Sequence, residues 1–331
     1  MGLQQLSRYS RNVRVLVTGG AGFIGSNVVD ALLARGYNVR AIDNLSTGTT
    51  RFLEDASSDT KFELQQLDLL NFESLSASCR QIDLVIHLAA NADVRFGWNH
   101  PRRDLEQNIV ATQNLLEAMR RNGVQKLIFS STGSVYGDAT IIPTPEDAPF
   151  PVQTSLYGAS KLSAEAMIAA YATAGHLSAT VFRFVSILGP RYTHGHVIDF
   201  VAQLQQNPLV LKVLGNGQQR KSYLHVSDCV AALMLCMERI AGFKVLNLGH
   251  DDYCTVHDSA RWIAESLDLR PQMVFGNSVR GWVGDNSFIH LDNSKIRSLG
   301  WAPTCSIRDS ITDTVAWLME NKWALHRAVL G

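Results

Sequence analysis

Residues 13–25 read Val13-Arg14-Val15-Leu16-Val17-Thr18-Gly19-Gly20-Ala21-Gly22-Phe23-Ile24-Gly25. A β-branched apolar run meets a set of glycines, and a helical pattern with Val28, Val29, Leu32 and Leu33 follows. The order is strand, tight turn, helix N-terminus. Gly19 permits the sharp turn, Gly22 lets a pyrophosphate approach the backbone, and Gly25 lets the helix pack close to the strand. An αβ turn without a ligand would leave three closely spaced glycines unexplained, each costly in chain entropy. The stretch therefore predicts a dinucleotide site.

Outward from this turn, strand and helix patterns alternate. Strands are predicted at Asn38–Ile42, Lys61–Leu67, Leu84–Leu88 and Lys126–Ser130, with a helix over about Leu105–Arg121 between the last two. A second long helix is predicted from Leu156 to Ala174, and a buried strand over Thr180–Ile187, broken by Gly189-Pro190. Such alternation gives a doubly wound parallel sheet with crossover helices. After Pro190 loops lengthen, and short strands alternate with helices such as Ser227–Arg239 and Ser259–Leu267. The expected fold class is α/β: a Rossmann-type doubly wound parallel sheet over residues 1–188, with a smaller C-terminal α/β substrate-binding lobe over residues 189–331. The chain is expected to cross between the lobes more than once.

Length and composition narrow the function. The 331 residues exceed what one small core needs, and 46% are hydrophobic, as in an ordinary globular enzyme. Lysine plus arginine equals aspartate plus glutamate at 30 each, so no basic face announces a nucleic-acid partner. The cysteines (Cys79, Cys229, Cys236, Cys254, Cys305) lack metal-ligand spacing and read as reduced packing thiols; no metal is expected. The opening MGLQQLSRYSRN has no apolar leader core, and no uncharged apolar stretch approaches the ~18 residues of a membrane span. The expectation is a cytoplasmic protein without a membrane partner.

Three positions carry the chemistry. Asp43, ending the second strand, stands 18 residues after Gly25. A carboxylate there accepts both adenosine ribose hydroxyls and repels a 2′-phosphate, which favours NAD over NADP. Tyr157 and Lys161 stand four apart on a predicted helix and share a face. An ammonium beside a phenol favours the phenolate, so the tyrosine pKa is expected to fall below its usual ~10. A tyrosine so tuned exchanges a proton with a sugar hydroxyl while hydride moves to or from a nicotinamide. The third is the strand end Ser130-Ser131-Thr132-Gly133-Ser134, whose hydroxyls face the ligand crevice of a parallel sheet. Thr132 is read as holding the reacting sugar oxygen, and Ser130 as lying beside the cofactor. Ser130, Ser131 and Ser134 serve equally well as local backbone partners. His87 reads as a packed core histidine and His225 as structural.

The motifs TGGAGFIG, DNLSTG (Asp43 to Gly48), LDLLN around Asp68, VIHLAA (Val85 to Ala90), SSTGSVYG, YGASK, GNGQQRKSYLHVSD (Gly215 to Asp228) and GWVGDNSFIHLDNSKIRSLGW (Gly281 to Trp301) span nearly the whole chain. Together they resemble the extended short-chain dehydrogenase/reductase family, the NAD-dependent nucleotide-sugar epimerases and dehydratases, with the greatest similarity to the UDP-glucose 4-epimerases. The resemblance implies that Gly19, Gly22, Phe23, Ile24 and Gly25 hold the NAD pyrophosphate. It places Asp43, Asn44, Ser46, Thr47 and Gly48 at the adenosine ribose, and Asp68 and Leu69 at adenine. Leu88, Ala89 and Ala90 would line the cofactor, and Asn108 would sit near Thr132. Tyr157 becomes the acid/base, with Lys161 as its electrostatic partner and a bond to the nicotinamide ribose. Arg220 and Arg280 would clamp the diphosphate of a nucleotide-sugar, a UDP-sugar by resemblance, since the guanidinium fork suits phosphate. The family's dimerisation through two long helices implies a homodimer built on the 105–121 and 156–174 helices, where Leu115, Leu116, Met119, Met167 and Ile168 serve core or interface.

Two features bear on the reaction. Dehydratases of this family carry an acidic pair where this chain has Gly133-Ser134, so epimerisation at C4 through a 4-keto intermediate is expected rather than elimination. Where relatives carry an asparagine on the substrate, this chain has Ser186, a shorter group without an amide. The loop Arg191-Tyr192-Thr193-His194-Gly195-His196 reads either as a site for a sugar C6 carboxylate or as a solvated loop. Uronic-acid epimerases, decarboxylases and 4-keto reductases remain alternatives, as does an NAD-sensing binding protein without catalysis.

Overall fold

The computed structural model describes residues 13–92, 94, 97–149, 152–282, 284–286 and 288–325. The stretch MGLQQLSRYSRN lies outside them. The predicted strand after Val13 is β1 (Arg14–Thr18), and the glycine turn leads into α1 (Phe23–Ala34). Then follow β2 (Asn38–Asp43), β3 (Phe62–Gln66), α2 (Phe72–Ser78) and β4 (Leu84–His87). The predicted 105–121 helix is three pieces: α3 (Pro101–Asp104), a π-helical segment Leu105–Val110, and α4 (Ala111–Arg121). β5 (Lys126–Thr132), α5 (Leu156–Thr173) and β6 (Ser178–Phe184) complete this half.

All strand pairs in the main sheet are parallel, in the order β11-β6-β5-β4-β1-β2-β3, where β11 is Phe243–Leu248. Strand order reverses between β1 and β4, and the crevice at such a reversal is where ligands bind in this class of sheet. Side-chain alternation assigns the two faces. Val15, Val17, Ile86 and Ile128 pack into one core with Val28, Val29 and Leu32 of α1. Leu16, Val85, Leu127 and Phe129 pack into the other, with Leu115, Leu116 and Met119 of α4 and Ile168 of α5. Burying each such side chain stabilises the fold by about 1.5–3 kcal/mol, which fixes the helices on the sheet. Leu115, Leu116, Met119 and Ile168 are therefore core residues; Met167 packs partly buried against the same cluster.

The predicted strand Thr180–Ile187 is two strands. β6 stays in the large sheet, and β7 (Ser186–Leu188) leaves it to pair with β10 (Tyr223–His225). The amide of Val185 between them donates to Leu248 O at 3.0 Å. The unbroken apolar run hides this change of partner, because both strands are buried. The remaining elements are α6 (His196–Gln206), β8 (Val210–Val213), β9 (Arg220–Lys221), α7 (Val226–Met237), β12 (Cys254–Thr255), α8 (Val256–Ser266), β13 (Gln272–Phe275), β14 (Phe288–Ile289), α9 (Ser294–Ser298) and α10 (Ile307–Glu320). They form small sheets, β12-β9-β14 and β13-β8, beside the carboxyl side of the main sheet. Thr255 and Asp258 form a capping box at the start of α8, which accounts for its beginning earlier than the predicted Ser259. No helix among the described residues is long and apolar enough to cross a membrane.

Candidate active site

At the end of β1, Gly19 adopts φ +68°, and its amide donates to Ile42 O of β2 at 2.8 Å. A Cβ on Gly19 would lie 2.7 Å from Ala89 N, so the turn after β1 and the turn after β4 touch at the strand-order reversal. A Cβ on Gly25 would lie 2.0 Å from Gly19 O, which makes glycine obligatory there. Gly22 is the N-cap of α1 and offers no side-chain cap, and the first turn contains no acid. The helix N-terminus is thus left to an external anion, in a cradle that side chains would fill. Phe23 is buried and Ile24 partly buried beside it.

Asp43 ends β2, 8% exposed. Its Oδ2 accepts from Ala21 N at 3.0 Å and its Oδ1 from Leu45 N at 2.8 Å. The carboxylate therefore stitches the glycine turn to the following loop. A Cβ on Gly48 would come within 2.8 Å of Oδ1, which keeps this loop close over the carboxylate. Asn44 donates to Asp68 Oδ2 at 3.0 Å, joining the ends of β2 and β3. Ser46 and Thr47 are exposed, and Leu69 is buried. Leu88, Ala89 and Ala90 are partly exposed along the crevice wall. The predicted adenosine end is thereby brought together around one loop. This donor and acceptor set fits an NAD adenosine diphosphate.

At the reacting end, Ser155 caps α5, accepting from Gly158 N at 3.0 Å, and Tyr157 and Lys161 follow on one face. Thr132 is 9% exposed at the end of β5. Its hydroxyl accepts from Ser134 N at 3.1 Å and lies near enough to the Tyr157 phenol to act on it. Ser130 donates to His87 O at 3.1 Å. Tyr157 keeps a partly exposed edge. The expected lowering of its pKa is not found: burial pushes the phenol up to about 12, the nearby Thr132 hydroxyl opposes this, and Asp104 adds to it. Lys161 is itself 2% exposed. Burial brings its pKa down to about 7, opposed by Glu165, so near neutrality its charge is only partly present.

Asn108 sits in the π-helical segment, 1% exposed, and donates to Ser160 Oγ at 2.9 Å. Its Oδ1 accepts from Asn91 N at 2.8 Å. π segments often mark functional sites, and this one turns Asn108 toward α5. Sequence reasoning missed Asn91 and Ser160; Ser160 lies inside YGASK, and Asn91 directly follows Ala90, so both adjoined recognised motifs. His87 is a core histidine as expected, held between Thr18 Oγ1 (2.7 Å) and Thr112 Oγ1 (3.0 Å), with burial bringing its pKa down to about 3.

On the C-terminal side, Ser186 is exposed at the start of β7. Arg220 lies 3.8 Å from the Phe288 ring centroid, and Arg280 pairs with Asp138 at 2.6 Å and donates to Asp285 O at 3.1 Å. In the loop after Pro190, His194 is exposed, while Arg191 and His196 are engaged within the protein. Arg191 pairs with Asp30 of α1 at 2.7 Å, and His196 is bonded to Ser259 Oγ at 2.6 Å and stacked on Tyr223. Burial brings the His196 pKa down to about 3, so it is a neutral packing residue. His225 is structural: it caps α7, accepting from Ser227 N, and meets Asp313 at 2.9 Å.

Comparison with known proteins places this geometry. Residues 15–249 match the model of the NAD dependent epimerase/dehydratase family. A crystal structure of a UDP-galactose 4-epimerase is 39% identical, with a TM-score of 0.84, covering 94% of this chain and 100% of its own. The UDP-glucose 4-epimerase of Mycolicibacterium smegmatis is 32% identical, covering 92% of this chain and 97% of its own. The UDP-glucuronic acid 4-epimerase of Bacillus cereus, solved with UDP-glucuronic acid and NAD, is 29% identical with a TM-score of 0.86, covering 93% of this chain and 100% of its own. With a matched segment that runs from β1 to the last strand of the large sheet, the chain belongs to the NAD dependent epimerase/dehydratase family.

Proposed function

We propose that this chain is a nucleotide-sugar 4-epimerase that acts on a UDP-hexose, and that Tyr157, Thr132 and Lys161 are its catalytic residues. The observation that carries the reading is the meeting of Thr132, at the carboxyl end of β5, with the Tyr157 phenol of α5, with Lys161 buried one turn further along the helix. Thr132 orients the sugar 4-oxygen, and Tyr157 takes its proton and later returns one to that same oxygen. Lys161 supports the phenolate and bonds the nicotinamide ribose. Bound NAD supplies the acceptor that takes the C4 hydride and gives it back, so net redox is zero. Gly19, Gly22, Phe23, Ile24 and Gly25 would hold the pyrophosphate; Asp43, Asn44, Ser46, Thr47, Gly48, Asp68 and Leu69 the adenosine; Leu88, Ala89, Ala90, Asn108 and Ser130 the nicotinamide side. Arg220 and Arg280 would grip the substrate diphosphate, and Ser186 the sugar, which must stay loose enough to turn between departure and return of the hydride.

Gly133 supports epimerisation over elimination. A Cβ there would meet Ile289 Cγ2 at 3.2 Å and Phe184 O at 3.4 Å, so a side chain fits only where these neighbours give way, and an acidic one would face apolar carbon and a carbonyl oxygen. The engagement of Arg191 with Asp30 favours a neutral C6 over a carboxylate. Uronate chemistry is the second reading, because a relative of TM-score 0.86 was solved with UDP-glucuronic acid. The division into a cofactor part up to residue 188 and a mainly substrate-binding lobe beyond it, from which the chain crosses back to supply β11, belongs to the same proposal. So does a homodimer through the π segment with α4, and α5, where Leu105 (47%) and Val110 (39%) of the π segment are left exposed.

The test is turnover of UDP-glucose, UDP-galactose, UDP-glucuronic acid and a GDP-hexose by purified protein, with products identified by NMR. The expected result is interconversion of the two UDP-hexoses without added cofactor, abolished in Tyr157→Phe with NAD still bound. Full turnover by that variant overturns the assignment.

A further inference from the structure

Tyr157, Lys161 and Glu165 stand four apart on α5 and share one face. The first two are accounted for by the proposed reaction; the third is not. Glu165 is 4% exposed. Arg183 of β6 grips its carboxylate through Nη2 at 2.8 Å and Nε at 3.2 Å. Ser131, the residue before Thr132, donates its hydroxyl to the same carboxylate. Ser131 and Arg183 are register partners across β5 and β6. The far side of Arg183 donates to Glu146 O at 3.1 Å and lies 4.7 Å from the Tyr136 ring centroid.

A buried ion pair of this kind is a poor stabiliser, since two well-packed apolar residues would do as well or better. Its placement suggests another purpose. The three bonds pin the carboxylate between the strand end that carries Thr132 and the helix that carries Lys161. The groups around Lys161 come from every side. His87 of β4 is buried and neutral, Phe129 of β5 presents its ring face, and Tyr157 and Glu165 flank it on α5. Asp104 of α3 acts on Tyr157. Behind Glu165 stand Arg183, Tyr136 and Glu146. Within this set Glu165 is the charge that favours the protonated ammonium, and it opposes the burial that drives the proton off.

We propose that Glu165, clamped by Arg183 and Ser131 one helical turn from Lys161, is a positioning residue that keeps the Lys161 ammonium charged. The proposal rests on the reading of Lys161 as the partner of Tyr157, but its test does not require turnover. Lysine side chains carrying a ¹³C label at Cε are titrated by NMR, with Lys161 assigned by its loss in Lys161→Arg. In Glu165→Gln the Lys161 midpoint falls by about one unit relative to the unsubstituted chain, while Glu165→Asp, which keeps the charge, restores most of it. If Glu165→Gln does not fold with Arg183 left unpaired, Glu165→Gln with Arg183→Gln is read against Arg183→Gln alone, so that only the Glu165 charge differs. A Lys161 midpoint unchanged in the folded variant overturns the proposal. In turnover, Glu165→Gln lowers kcat, moves the basic limb of its pH profile by the same amount as the NMR midpoint, and leaves KM for the sugar nucleotide unchanged. A fall in kcat with no movement of that limb marks a merely structural role and also overturns it. Should the Lys161 midpoint move as stated while no sugar nucleotide is converted, the epimerase reading fails and the coupling of Glu165 to Lys161 stands.

Discussion

The Lys161 ammonium lies 4.2 Å from the centroid of the Phe129 ring. The ring face attracts the cation, but the site is dry, and desolvation dominates: the pKa of Lys161 is brought down to about 7 from its ordinary 10.5. The same lysine that is to carry charge for catalysis is therefore costly to bury in charged form.

That cost gives a prediction with a definite sign. Between pH 7 and pH 10.5 the unfolded chain holds a proton on this lysine that the folded chain has released. Stability from this group therefore rises with pH across that window, and the full penalty is present below pH 7. Lys161→Met should be the more stable protein by a few kcal/mol at pH 6, with the gap closing toward pH 10. Urea unfolding of both proteins across pH measures it. A gap that widens with rising pH would contradict the assignment of the burial cost to Lys161. The same variant should lose about 10²–10⁴ in kcat.

The glycine turn separates binding from folding. A Cβ at Gly25 would overlap Gly19 O at 2.0 Å, whereas one at Gly22 would come only to 3.2 Å from the same atom. Gly25→Ala should destabilise the fold by about 1–3 kcal/mol and lose NAD as well. Gly22→Ala should keep most of the stability and lose NAD affinity, because the added methyl projects from the cap of α1 where the pyrophosphate is proposed to sit. Thermal unfolding and NAD titration distinguish the two. Equal stability losses in both variants would argue against this division.

Much of the fold was legible because it rests on local chemistry. Glycine spacing after Val17 announces the turn, Asp43 ends its strand as expected, and the continuous apolar run of β1 marks a buried strand. What was not legible depends on partners distant in sequence. The expectation of a lowered Tyr157 pKa used only the lysine four residues away, and burial of both groups reverses it. The π segment that aims Asn108 has no compositional mark in Leu105–Val110. The run Thr180–Ile187 reads as one strand because β6 and β7 are both largely apolar, although they serve different sheets. The polarity of Arg191 and His196 suggested ligand or solvent, and each is instead consumed by a partner, Asp30 and Ser259.

Asp43 offers a test of cofactor choice. Its two oxygens are held by Ala21 N and Leu45 N, so the carboxylate is fixed in place and charged at the end of β2. A 2′-phosphate would meet that charge at close range. The chain should bind NAD and discriminate against NADP. Asp43→Asn should weaken NAD by about 1.5–3 kcal/mol, through lost charge-assisted bonds, and narrow the gap to NADP. Calorimetric titration with each cofactor checks it; tighter NADP than NAD binding by the unsubstituted chain would refute the role given to Asp43.

Gly133 sets the reaction apart from elimination, and the reason is spatial before it is chemical. It follows Thr132 and lies under the C-terminal segment, with Ile289 Cγ2 at 3.2 Å, Phe184 O at 3.4 Å and Leu291 Cδ1 at 3.6 Å from the position of a Cβ. Leu291 is 2% exposed and bridges to Thr144, so this segment is anchored on both sides. An aspartate placed there must either push β14 outward or bury a carboxylate against apolar carbon and a carbonyl oxygen, and its pKa would then rise. Gly133→Asp should therefore not create a dehydratase. It should destabilise the protein by about 1–3 kcal/mol and abolish epimerisation by displacing Thr132 from Tyr157. Adding Ile289→Ala and Leu291→Ala opens the space and should recover part of the Gly133→Asp loss in kcat, although each alanine alone destabilises the fold. Product analysis after incubation with UDP-glucose reads both outcomes: a 4-keto-6-deoxy product from the single variant would show that space at Gly133 does not exclude elimination.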